Sequence, residues 1–165
     1  MKKVELPKTN LSNIPYPLKT LLVGNEDTWN SFIAVISDLT PKQLAYKYPN
    51  YSQRSISEMI NHALDTQFCF YTISLVVGDE YKALDLVLPK TANEAFKNIL
   101  EIYKKTVGVW KELKQTDFQK EIKTDWGQIM TVELTLFQSI THTHYHLSEI
   151  CFLRGLGGFP TKVMG

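Results

Sequence analysis

The stretch that decides the fold is Thr131–Gly155, TVELTLFQSITHTHYHLSEICFLRG. It holds neither proline nor internal glycine, and its apolar residues recur at three and four residue steps, which predicts a helix from about Thr131 to Arg154 that stops at Gly155. Leu156-Gly157-Gly158-Phe159-Pro160 behind it is a strong terminator. Leu136, Ile140, Leu147 and Cys151 lie to one side, while Phe137, Tyr145 and Leu153 fall elsewhere around the helix. A helix apolar nearly all round is expected to be buried. Through it runs a polar stripe of Thr135, Gln138, Ser139, His142, His146 and Glu149. His142 and His146 are four residues apart and so share a face. His144 stands about 200° around the helix from either and cannot join them.

Working outward, three further segments carry helical periodicity. Residues 18–39 repeat Leu21, Leu22, Trp29, Phe32, Ile33 and Ile36, entered after Pro15 and Pro17 and closed by Thr40-Pro41. Residues 55–77 open on a capping box, Ser55 and Glu58, and end at Gly78. Residues 91–114 open on a second, Thr91 and Glu94. With 131–154, the expectation is an all-α four-helix bundle of helices about 30 Å long, forming one domain over 1–165. The connections 40–54, 79–90 and 115–130 are long enough for crossovers, so connectivity stays open. The third, with Trp126-Gly127, is expected to hold a short hairpin or an ordered turn.

The remaining composition excludes several classes. Eighteen Lys and Arg balance seventeen Asp and Glu, for a formal charge of +1, which gives no basic excess for nucleic acid. The pairs Lys2-Lys3 and Lys104-Lys105 read as a solvated terminus and a solvated helix face. Cys69 and Cys151 sit in apolar stretches and read as small hydrophobes in a reducing compartment. Met1–Pro7 carries no apolar run behind its charges, and no apolar run is long enough to span a bilayer. The expectation is a cytoplasmic protein.

His62 is the fourth histidine, mid-way along 55–77, where a third ligand could approach His142 and His146. It shares a stripe with Glu58, Asp65 and Thr66. A buried histidine needs a partner, and a metal ion supplies one. The order of these features resembles the DinB/YfiT-like superfamily of metal-binding four-helix bundles. The resemblance rests on Ser55-Ile56-Ser57-Glu58-Met59-Ile60-Asn61-His62, on His142-x-x-x-His146 eighty residues later, and on Arg154-Gly155-Leu156-Gly157. Trp29, and Trp126-Gly127 with Thr131, extend it over nearly the whole chain. It implies a three-histidine site for a divalent ion, often nickel or zinc, with ligands matching His62, His142 and His146. Many members follow the last histidine with Arg-Gly-Gln, whereas this chain has Leu147-Ser148-Glu149.

Three neutral imidazoles leave such an ion its full charge and open positions, so that it can activate water or hold a thiol as thiolate. The resemblance favours the second use: a thiol S-transferase acting on a low-molecular-weight thiol and an electrophile. Metal-dependent hydrolysis and a non-catalytic metal-binding or ligand-binding bundle are the alternatives. Glu58, Asp65 and Glu149 are candidates to orient a ligand imidazole or to act as a general base, and equally to make contacts within their own helices. Tyr71 and Tyr145 are expected in the core rather than at the pocket. The expected partners are a small-molecule substrate and, in one reading, a second copy in a homodimer.

Overall fold

The computed structural model describes residues 5–49 and 53–161; Lys2 and Lys3 lie outside them. Helix α1 spans Leu18–Ile36, a short α2 spans Pro41–Leu44, and α3 spans Ile56–Asp65 and continues as a π-helical segment, Thr66–Val77. Helix α4 spans Ala92–Lys111. A two-stranded antiparallel hairpin pairs β1, Glu121–Lys123, with β2, Ile129–Thr131, Ile122 facing Met130, and leads straight into α5, Val132–Leu156.

Both expected caps stand at the helix starts they mark, but only the first is a reciprocal box, since the Glu94 carboxylate accepts from the Lys90 N–H instead of from Thr91. The Ser55 side chain accepts the Glu58 N–H while Glu58 accepts the Ser55 N–H, and Thr91 accepts from Glu94. Gly78, at φ +86°, takes the left-handed conformation that closes the second helix, a position favouring glycine. Two readings of the sequence change. The second helix is not regular throughout: from Thr66 it widens to i,i+5 spacing, and Thr72 donates its hydroxyl to the Gln67 carbonyl five residues back. Gly155 does not end α5. The helix passes it by one residue, and the stop falls at Gly158, φ +75°, whose N–H reaches the Gly155 carbonyl.

The long connections are used for a crossover. Helix α1 packs chiefly against α4 and α5, and the α3–π helix also packs against α4 and α5, so α1 and α3 occupy opposite corners of the bundle. One core joins all four: Trp29, Phe32, Ile60, Leu64, Ile99, Trp110, Leu136 and Ile150 are inaccessible to solvent. Gln67 spans the diagonal through its middle. It accepts from Trp29 Nε1 at 2.7 Å and donates to Asn25 Oδ1 and Thr143 Oγ1. Trp110 Nε1 donates to Thr72 one π-turn on.

At the far end, Arg154 is buried, forks onto both carboxylate oxygens of Asp38, and donates to the Val35 carbonyl, locking the end of α5 to the end of α1. Among the described residues no helix is long and apolar enough to cross a membrane.

Candidate metal centre

The cap at Ser55 sets the phase of α3 and so the direction of His62, two turns in. The hairpin and the Thr131 cap, accepting from Leu134, set the phase of α5 and so of His142 and His146. Because α3 and α5 are packed neighbours, the three rings meet. Ring centroids are 4.5 Å apart for His142 and His146, 4.8 Å for His62 and His146, and 5.8 Å for His62 and His142. One nitrogen of each lies within 4.8 Å of the others. His144 is exposed on the opposite side of α5 and outside the group.

Hydrogen bonding decides how the rings are held. The Nδ1 of His146 lies 2.6 Å from Glu149 Oε2, so Nδ1–H donates to the carboxylate and the lone pair rests on Nε2. That Nε2 is buried and has no hydrogen-bond partner; His142 Nδ1 is in the same condition. Buried, partnerless imidazole nitrogens in a group whose ligand atoms lie within 4.8 Å of one another suit a borderline divalent cation. The residues present fit the metal.

Electrostatics keep the rings of His142 and His62 in the ligating, neutral form. Burial, and then His146 and His62, lower the His142 pKa from its ordinary value to about 4. Burial, and then the Arg54 and His146 charges, lower that of His62. The metal-free protein therefore binds fewer protons at these rings than the unfolded chain, whose imidazoles titrate near 6.5. Its stability should be complete above pH 6.5 and fall progressively as pH drops toward 4. Denaturation midpoints of metal-free protein across that range check this. Flat midpoints, or midpoints rising on acidification, would contradict it. Glu58 contributes in the same direction in a lower window, its pKa held at about 2 by the Ser55 N–H and by Lys47.

The three acidic candidates divide. Glu149 touches a ring of the group. Glu58 is engaged in the α3 cap and pairs with Lys47 at 2.9 Å. Asp65 accepts from the Tyr81 hydroxyl and the Leu84 N–H, anchoring the segment after the π helix. Tyr71 and Tyr145 are not in the core, contrary to expectation: Tyr71 is half-buried with its ring 5.8 Å from His142, and Tyr145 is exposed with its ring 5.3 Å from His146.

Sequence reasoning missed two further neighbours. Arg54 precedes the α3 cap, and its charge acts on both His62 and His142. Trp126, at the hairpin turn, stacks on Phe70 at 6.0 Å, and Phe70 meets Tyr71 at 5.1 Å. A row of rings thus leads from the surface to His142. Trp126-Gly127 was visible as a turn, but its partner on the π helix was not.

No family model and no curated protein matches the chain. Solved structures do. A DinB-like protein from Bacillus cereus superposes with a TM-score of 0.68 at 15% identity, covering 86% of this chain and 93% of that one. YfiT from Bacillus subtilis, described as a probable metal-dependent hydrolase with an unusual four-helix bundle topology, gives 0.68 at 16% over 93% and 95%. A mycothiol-dependent maleylpyruvate isomerase gives 0.54 at 16% over 87% and 63%. The fold is that of the DinB-like proteins and YfiT.

Proposed function

From a DinB/YfiT-like fold with three converged histidines, we propose a metal-dependent enzyme in which His62, His142 and His146 hold one divalent ion, nickel or zinc, and which joins a small cellular thiol to an electrophile. The observation that carries this reading is the pair of buried, partnerless ring nitrogens in a group of three converged imidazoles. When bound, the ion supplies Lewis acidity that keeps a substrate sulfur in its thiolate form, which a free thiol of pKa about 8.5 reaches only slightly at neutral pH. The rest falls to the chain. Glu149 holds the His146 tautomer, Arg54 adds positive potential that favours an anionic substrate, and the Tyr71–Phe70–Trp126 row offers an apolar wall beside the site.

The fold of the isomerase, named for its dependence on a thiol, supports thiol chemistry here. The description of YfiT supports hydrolysis as the second reading. Assays of metal-loaded protein with small thiols and a generic electrophile, beside a panel of amides and esters, separate them. Expected is thiol consumption that requires metal and vanishes in His142→Ala. Hydrolysis without thiol consumption would establish the second reading. Neither activity, with metal fully loaded, would overturn catalysis and leave a binding protein.

A further inference from the structure

The wide turn in the second helix decides which ring stands beside the histidines. On an unbroken α-helix, at about 100° per residue, Tyr71 would fall on the side opposite His62, and Phe70 about 80° round from it. From Thr66 the helix instead closes i,i+5 rings, which turn roughly 80° per residue. Tyr71 then stands about 90° from His62, the direction that an α-helix would have given Phe70. The contacts agree. The Tyr71 ring lies 5.8 Å from that of His142, while Phe70 stacks on Trp126. The widening thus sets a ring with a hydroxyl where regular spacing would set one without.

This register is held from both sides of the bundle. Trp29 of α1 donates to the buried Gln67 side chain, Thr72 donates to the Gln67 carbonyl, and Trp110 of α4 donates to Thr72. Departures of this kind gather at functional sites. The hydroxyl itself is a second observation. Tyr81 gives its hydroxyl to Asp65, and that of Tyr103 engages Thr9 and Glu26. Tyr71 is half-buried, yet its hydroxyl has no hydrogen-bond partner among the described residues. Burial raises its pKa, so it stays protonated and can donate. A shielded O–H beside the histidine group, with nothing in the chain to donate to, suits a ligand held there.

We propose that Tyr71 selects anionic ligands at the metal centre, its neutral hydroxyl donating a hydrogen bond to the anionic atom seated on the ion that His62, His142 and His146 hold. The proposal rests on the three-histidine metal reading and not on the reaction. For a thiol substrate the accepting atom is the thiolate sulfur. The hydrogen bond favours the anion over the neutral thiol or water, since a donor facing a charged acceptor makes the stronger bond. It also fixes the direction from which the sulfur sits on the ion, which leaves the opposite side open to an electrophile.

Cobalt(II)-loaded protein tests this by visible absorption, titrated separately with azide and with 2-mercaptoethanol. Tyr71→Phe keeps the ring and removes only the oxygen. It should bind cobalt with unchanged stoichiometry and lose about ten-fold in affinity for each probe, the scale of one hydrogen bond to a charged group. Tyr16→Phe, at an exposed tyrosine outside the site, should match the wild type. The exchange Phe70→Tyr with Tyr71→Phe should bind as weakly as Tyr71→Phe alone. Affinity for either probe unchanged in Tyr71→Phe overturns the proposal. So does loss of the cobalt, which would put Tyr71 among the ligands of the ion itself. Wild-type affinity in the exchanged chain overturns the register. A wild-type chain that takes up no cobalt removes the metal reading and this proposal together, whereas failure of thiol transfer alone leaves the azide result standing.

Discussion

Replacing His142 or His146 by alanine should abolish stoichiometric metal, and His62→Ala should weaken it severely, while His144→Ala leaves it nearly unchanged. The ordering follows from geometry. His142 and His146 are successive turns of one rigid helix, their rings already 4.5 Å apart, so removing either leaves no pair to retain an ion. His62 reaches them from α3, and its loss leaves that pair standing. His144 differs from both only in phase, which makes it the right control for helix propensity and for the number of imidazoles in the chain. Glu149→Gln should fall between: it keeps the volume and an acceptor oxygen for Nδ1–H but removes the charge, and losses of about 10–100-fold in affinity are usual for such partners of a ligand histidine. Elemental analysis of untagged protein and metal titration calorimetry give the readouts. If His144→Ala proved as damaging as His142→Ala, the metal would not be where these three rings meet.

What could be read beforehand, and what could not, separates by the range of the interaction. Helix starts are local, decided by Ser55 with Glu58 and by Thr91 with Glu94 within four residues, and they stand where their motifs put them. The direction of His144 away from its neighbours needed only helical phase. Connectivity needed tertiary information, because residues 37–55 are long enough to join either an adjacent or a diagonal corner. The π segment was hidden for a related reason. Its apolar residues satisfy three and four residue spacing well enough, and what holds it wide is the bonding of Gln67 and Thr72 to side chains on other helices. Helix α5 misled in the other direction: apolar residues all round it imply burial, yet Phe137, Tyr145 and Phe152 are about half exposed, because periodicity gives the faces of a helix but not how many of them its neighbours cover.

The buried layer at Gln67 carries the second large effect: Gln67→Leu should lower stability by roughly 2–5 kcal/mol. Gln67 is 1% exposed and engages three buried groups, accepting from Trp29 Nε1 and donating to Asn25 and Thr143. Leucine fills a similar volume, so the loss comes from polarity rather than from a cavity. Each buried group left without a partner costs about 1–3 kcal/mol, and Thr143 is cushioned because its hydroxyl still donates to the Ser139 carbonyl. For a chain of this size each kcal/mol moves the melting temperature by about 2–4 °C, so a fall of roughly 5–15 °C is expected. A double-mutant cycle with Trp29→Phe isolates the mechanism. Once the indole N–H is gone, Gln67→Leu has one fewer group to strand, and its cost should shrink by about 1 kcal/mol or more. Strict additivity would mean that Gln67 acts through packing alone. A neutral Gln67→Leu would mean that the diagonal of the bundle is held by its apolar contacts without help from the layer.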